Sequence, residues 1–498
     1  MVLCTGCQEL DMGTRVRVAH CSIADGGKCL ACKEDMELEH KIQELQERRR
    51  HLRTKINANH DPFVLRLPPE LASHIFLLSI RSRDTLSRIR RRKFIPTPYL
   101  LGAVCQGWRQ LARSTPELWS KLAFTISDIS KSRTMEALPH LIADWLERLG
   151  GLPLTLQINY SRDSHLLAEG YIPIIDALNR HSERWCNVDF ALPADYLGRL
   201  CGSSPSKNLH HLSISNLDDD YNPNDDPNDI PVTFKMNTRA SPMKFRIIAI
   251  PLKAIEISGH NLVDLHVQRT RLDGVLEIMR DAPLLEVCFL FIIFPPVDDF
   301  PIPKTMIRLS HLRKLRVYWI DEIEVFNKLI NSLELPSLEL WVIQCSTNMV
   351  NAAVIVPFLK RSACNLKELR IEWEVEEPGV EDFGRVLQAI PYLQKLRVSS
   401  TLLDWSLAPV MDNILERIAA SPPHPMLQTG NTAGFLSGLQ SLQFFSRKFN
   451  VYRSSFDGPQ EASELGHRDK SGRNQWWGLE WTCAIARPRN QATYLWLF

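Results

Sequence analysis

The sequence predicts an α/β protein: a short helical N-terminal segment, a compact helical hairpin, then a long irregular solenoid of strand–helix units carrying a parallel sheet. Three observations lead there. Apolar residues recur at steps of three and four between positions 38 and 122, the period of helices packed on one side. From Trp185 onward a pattern, apolar-x-x-apolar-x-apolar, returns repeatedly. A length of 498 residues is too great for one ordinary core. The chain accordingly divides into a cysteine-containing segment (1–35), a charged helix (36–60), a helical module (61–125), a repeat region (140–448) and a poorly ordered tail (449–498), polar and turn-rich at first and then aromatic from Trp476, where it could instead cap the repeats.

Composition narrows the class. A hydrophobic share of 44% is that of a soluble globular protein, and a net charge of +2 supplies no basic field for nucleic acid. The longest apolar run, VCFLFIIF (Val287–Phe294), is too short to cross a membrane and reads as a buried strand. The opening MVLCTGCQEL lacks a secretory signal pattern, so a cytoplasmic or nuclear protein with mostly reduced cysteines is expected.

In chain order, CTGC and CLAC come first. Cys4, Cys7, Cys29 and Cys32 have the paired spacing that lets four thiolates surround one zinc ion, with Cys21 between them. The other reading is free thiols in a weakly ordered tail; no other cofactor is indicated. Leu38, Ile42, Leu45, Leu52 and Ile56 then follow alternating steps of four and three, with Arg49 interrupting the seam. This is a short coiled coil able to dimerise, or a helix folded against its neighbour.

LPPELASHIF (67–76) has the signals of a helix start. Proline presets the first turn, Glu70 suits the positive end of the dipole, and Leu71, Ile75 and Leu78 form an apolar face. In YLLGAVCQGWRQLARSTPELWSKL (99–122), Leu100, Val104, Trp108 and Leu111 fall at helical steps. Ser114 or Thr115 caps a further turn with Pro116 at its first position. So much apolar surface on so small a hairpin predicts a partner.

These two stretches, in this order, resemble the F-box domain as it occurs in large fungal F-box-like families. The resemblance covers residues 63–122 and implies docking to the Skp-family adaptor, and through it to a cullin, in a ubiquitin ligase. It carries adaptor binding onto Leu67, Pro68, Leu71, Ile75 and Phe76 on one side and Val104, Cys105 and Trp108 on the other. Gly107 departs from the family pattern and is expected to weaken its helix by up to ~1 kcal/mol. Seven Arg or Lys within 81–93 read as a solvated loop, or else as an import signal or a patch for an acidic partner.

Leu141, Trp145, Leu146 and Leu149 form a helix stopped at Gly150–Gly151 and followed by the strand LTLQI. Repeated units then begin at Trp185, Leu209, Leu262, Leu284, Leu312, Leu338, Leu366 and Leu393, with another at Leu439. They resemble leucine-rich repeats, although Thr270, Ile320 and Glu374 stand where a ladder asparagine is expected, so the repeats should be irregular. Residues 217–247, rich in aspartate, read as a loop interrupting the stack. Arg316, Arg370 and Arg397, with Tyr318, should share the open face of the sheet. They fit an acidic or phosphorylated protein segment, or are simply its solvated side.

No glycine-rich phosphate loop, His-Glu-x-x-His helix or Gly-x-Ser-x-Gly turn is present, which argues against an enzyme. The expectation is a non-catalytic substrate receptor for ubiquitin-dependent degradation, with an unspecified protein substrate and no membrane or nucleic-acid partner. The alternative is an interaction scaffold, nuclear in view of the basic stretch, that uses the same hairpin outside a ligase.

Overall fold

The computed structural model describes residues 29–59, 62–81, 97–126, 132–160, 172–202, 208–216, 234, 240–296, 306–320, 322–345, 350–373, 379–400, 408–420, 435–446 and 481–484. The chain forms two compact units, one of residues 1–120 with 147–150 and one of 121–146 with 151–498.

The first unit is helical among its described residues. It contains α1 (Leu30–Asn59), α2 (Pro62–Arg66), α3 (Pro69–Arg81), α4 (Thr97–Val104), α5 (Gln106–Arg113) and a 3-10 turn (Pro116–Trp119). α3 starts where the two prolines place it, with the amides of Leu71 and Ala72 both donating to the Pro68 carbonyl at 3.1 Å. The single helix expected through Leu100 and Leu111 is in fact two. Cys105 is extended (φ −154°, ψ 176°), and its sulfur accepts the Trp108 amide as the cap of α5. Gly107 therefore sits in a first turn rather than a helix interior, where its cost is smaller than expected.

Pro116 opens the 3-10 turn as expected, but neither Ser114 nor Thr115 caps it through its side chain. The Thr115 hydroxyl instead donates to the Leu111 carbonyl at 2.7 Å and lies 2.9 Å from the Ser73 hydroxyl. The core of this unit is aromatic. Phe76 stacks on Phe63 at 5.7 Å and meets Trp108 at 4.9 Å. Trp119 donates to the Ala112 carbonyl, receives the edge of Tyr99 at 5.2 Å and lies under the Arg148 guanidinium at 5.0 Å. Apart from Arg81, the basic stretch at 81–93 lies outside the described residues.

The second unit is α/β, built on a thirteen-stranded sheet whose strands are ordered as they occur in the chain. These strands are β1 (Lys121–Ile126), β2 (Leu154–Tyr160), β3 (Trp185–Leu192), β4 (His211–Asn216), β5 (Lys244–Ile248), β6 (Asp264–Arg271) and β7 (Val287–Phe294). β9 (Lys314–Ile320), β11 (Leu340–Cys345), β12 (Glu368–Trp373), β13 (Lys395–Ser400), β14 (Ser441–Ser446) and β15 (Trp481–Ala484) complete it. Every pairing is parallel except β14 with β15. The short strands β8 (Ile307–Arg308) and β10 (Leu333–Glu334) pair separately.

Parallel strands need crossovers, and helices supply most of them. α6 (Ser132–Arg148) precedes β2 and ends before Gly150, which takes a left-handed φ of 62°. α7 (Ile172–Arg180) and α8 (Ala194–Leu197) flank β3. α9 (Leu272–Arg280), α10 (Ile323–Asn331), α11 (Ala352–Ser362), α12 (Val380–Gln388) and α13 (Ala408–Ala420) follow, each packed on the next. Alternation places Leu315, Val317, Leu369, Ile371, Leu396 and Val398 on the buried face of the sheet. Phe383, Val386 and Leu387 of α12 are buried, with Ile390 beyond its end.

Four sequence expectations are corrected here. Residues 121–125, assigned by pattern to the helical module, belong to strand β1 and pair with β2. Residues 244–247, placed by pattern in an interrupting loop, belong to β5, which pairs with both β4 and β6, while 217–233 and 235–239 lie outside the described residues. In β7 the repeat frame is shifted by one residue. Leu285, Cys288 and Leu290 are the buried positions, so Val287 and Phe289 lie on the open face. The segment 481–484, within the tail read as poorly ordered or, in its aromatic part, as a cap, is the antiparallel strand β15 at the end of the sheet. Thr270, at an expected ladder position, is buried and donates to the Ile250 carbonyl at 3.3 Å, an alternative way to bond neighbouring backbone. Glu374 lies outside the described residues, and no helix among those described is long and apolar enough to cross a membrane.

Candidate interaction surfaces

Each unit carries surface that its own packing leaves at least partly open; in the helical unit it lies on the long helix α1 and on α3 and α4, and on the sheet face Val342 and Gln344 are themselves buried. Of eighteen large apolar side chains exposed among the described residues, thirteen belong to the helical unit. That concentration is far above the scatter of single exposed apolar residues normal on a protein surface.

Within α3, Leu71, Ile75 and Leu78 are 54%, 43% and 50% exposed and lie one above another at steps of four and three. Leu100 and Val104 repeat the arrangement on α4. The neighbours of these residues explain why they stay outside. Ala72 and Phe76 occupy the inner face of α3, and the Phe63–Phe76–Trp108 cluster fills the space behind.

The residues assigned by resemblance to adaptor docking therefore separate into two groups. Pro68, Leu71, Ile75 and Val104 are exposed, and Leu67 and Trp108 are partly so. Phe76 and Cys105 are buried and hold the surface up from beneath. Leu65, Leu78 and Leu100 are exposed too, although the family pattern did not single them out. Their helical spacing from Leu71 and Val104 was the available signal for the last two.

On the second unit, the strand register aligns one residue from each strand across the open face. Arg246, His266, Phe289, Arg316, Val342, Arg370, Arg397 and Gln443 stand opposite one another in succession. The row two residues on contains Phe291, Tyr318, Gln344 and Glu372. Thus Arg316, Tyr318, Arg370 and Arg397 do share one face, with Val342 between the first and second arginines.

Sequence reading missed the aromatic half of this face. His266 and Phe289 lie 4.1 Å apart, Phe289 and Tyr318 5.1 Å, and Phe291 joins Tyr318 at 6.4 Å. The one-residue frame slip in VCFLFIIF hid Phe289 and Phe291, since every position there is apolar, whereas Tyr318 was already placed on this face. With the row two residues before the arginines, which holds Lys244, Asp264, Lys314, Glu368 and Lys395, the three rows from β5 to β13 carry seven Lys or Arg and three acidic side chains.

Electrostatics follow from this crowding. Burial, then the Arg246 charge, pushes the His266 pKa down to about 4. The Tyr318 hydroxyl is raised by burial and then by Glu372, against the opposing pull of Arg316, Arg370 and Arg397. Arg370 is tied to Glu368 at 2.6 Å. The Nε of Arg316 and the Nε2 of His266 are enclosed without a hydrogen-bond partner among the described residues. The arrangement can grip negative charge and seat an aromatic or apolar side chain beside it.

Of the proposed zinc ligands, Cys4 and Cys7 lie outside the described residues, as does Cys21. Cys29 is buried just before α1, and its sulfur accepts the Cys32 amide at 3.4 Å. No known protein family and no curated protein matches the chain.

Proposed function

We propose that this protein is the substrate-receptor subunit of a Skp–cullin–F-box ubiquitin ligase. The observation that carries the reading is the exposed apolar pair of stripes, Leu71–Ile75–Leu78 and Leu100–Val104, on a small helical unit whose sequence resembles an F-box. The chain performs no covalent chemistry in this role. It holds an adaptor at one surface and a protein substrate at another, raising the substrate's effective concentration near the ubiquitin-loaded enzyme.

In this reading the second unit is a solenoid of irregular leucine-rich repeats. Support comes from the recurring strand pattern, the chain-ordered parallel strands and the side-by-side helices. The open face receives the substrate. With strands spaced about 4.8 Å apart, Arg316 and Arg370 are about 10 Å apart along the row. A segment in the polyproline II conformation, with three residues per turn and a rise of about 3.1 Å, returns a side chain to the same side about every 9 Å, close to that distance. The preferred substrate segment therefore carries two acidic or phosphorylated side chains three residues apart.

The test is co-purification. Leu71→Asp with Ile75→Asp should abolish association with a Skp-family adaptor while Arg316→Glu with Arg370→Glu leaves it intact. Retention of the adaptor by the first double variant overturns the docking face.

A further inference from the structure

The long helix α1 has an apolar seam that nothing described covers. Leu38, Ile42, Leu45, Leu52 and Ile56 are each about half exposed, between 47% and 64%. Among its residues whose burial is described, only Ala31 and Cys32 are even partly buried, next to the buried Cys29 that precedes the helix. Leucine and isoleucine alternate at heptad core positions with Arg49, and five such side chains in water are costly to leave unpaired.

The charge along the same helix is strongly polarised. Six Asp or Glu and two Lys lie at 33–47, whereas five Arg or Lys and no acid lie at 48–59. A favourable interaction with the helix dipole accounts for charges in the first and last turns only, not for a division at the middle of the helix.

We propose that α1 pairs with the α1 of a second copy of this chain, antiparallel and centred on Glu47. In that register Leu38 meets the partner's Ile56, Ile42 meets the partner's Leu52, and Leu45 packs on the aliphatic stem of the partner's Arg49. Each acidic half faces a basic half.

The flanking positions favour the same orientation. Antiparallel pairing sets Glu39 beside the partner's Arg53 at two symmetric places. It also brings Lys41 near the partner's Lys55, and Arg48 near its own counterpart. Parallel pairing has no compensating attraction: Glu34 would face the partner's Glu39, and Arg48 the partner's Arg53, each twice. The seam spans fewer heptads than an autonomous coiled coil usually needs, so a weak, concentration-dependent dimer is expected. This inference is independent of adaptor docking, which uses α3 and α4.

Sedimentation equilibrium on the full chain tests it. The expected result is a reversible monomer–dimer equilibrium that Ile42→Glu with Leu52→Glu abolishes, with thermal unfolding of the monomer unchanged. Arg49→Leu should tighten the dimer. Orientation is read from charge reversal. Glu39→Arg should weaken an antiparallel dimer about tenfold, and adding Arg53→Glu should restore it. In a parallel dimer, Glu39→Arg would tighten association. A chain that stays monomeric to about 100 μM, well above typical weak-dimer constants, overturns the proposal. So does tightening by Glu39→Arg. If Ile42→Glu with Leu52→Glu destabilises a monomeric chain, the seam is covered from within the chain, which also overturns it.

Discussion

Ile75 and Phe76 are adjacent in sequence, yet the structure gives them opposite duties, and substituting each to alanine separates the two. Phe76 is 2% exposed and lies against Phe63 and Trp108. Removing its ring leaves a cavity among aromatic neighbours and should cost about 3–5 kcal/mol. Ile75 is 43% exposed. The carbons lost in Ile75→Ala are worth about 2.4 kcal/mol when wholly buried; roughly half that is at stake here, and alanine's helix propensity returns about 0.4 kcal/mol. A net loss below about 1 kcal/mol is expected, so the two variants should differ by about 3 kcal/mol. Urea unfolding of the helical unit, followed by tryptophan fluorescence and by amide exchange in α3, measures both. Adaptor capture should show the reverse order among variants that remain folded, with Ile75→Asp abolishing binding. Equal destabilisation by Ile75→Ala and Phe76→Ala would refute the division into surface and support.

Three further outcomes follow from the second unit. His266 titrates near pH 4 when folded but near 6.5 when unfolded. The unfolded chain therefore binds more protons between those values, and stability is lost as pH falls through that window. Discounted for partial exposure, the effect is about 1–2 kcal/mol, and His266→Phe should flatten it in urea midpoints taken from pH 7 to 4. Asn179 donates to the Arg199 carbonyl at 2.8 Å and accepts the Gly202 amide at 3.0 Å, so Asn179→Ala should cost about 2–3 kcal/mol in the same assay. A Cβ at Gly259 would lie 2.8 Å from the Asp281 carbonyl oxygen, whereas one at Gly151 meets nothing within 4 Å. Gly259→Ala should lower stability by about 1–3 kcal/mol, and Gly151→Ala should be neutral within about 0.5 kcal/mol.

Much of this architecture is legible in the residues, for identifiable reasons. The start of α3 is written in two prolines and a glutamate, signals that act within one turn. Strands such as β9 and β12 alternate apolar with charged residues, so their inward and outward faces are unambiguous. β7 fails on that account, since a run with no polar residue has no frame and only pairing to β6 and β9 sets it. β5 is five residues long and follows a polar, aspartate-rich stretch, so its identity comes from the neighbouring strands rather than from its own pattern. The break at Cys105 was hidden because the apolar spacing of a helix continues through it. On the open face, the arginine column could be read position by position, but the aromatic cluster depended on the frame of β7.

The chain-ordered sheet has a consequence for how this molecule could change size. Each strand from β2 through β13 in the main sheet bonds only to the strands before and after it in the chain. Duplicating or deleting one strand with its crossover would therefore rewrite two seams and leave every distant one intact. The reach of the open face would change by about 5 Å, the width of one strand. The width of this face is in this sense adjustable in whole steps of one strand.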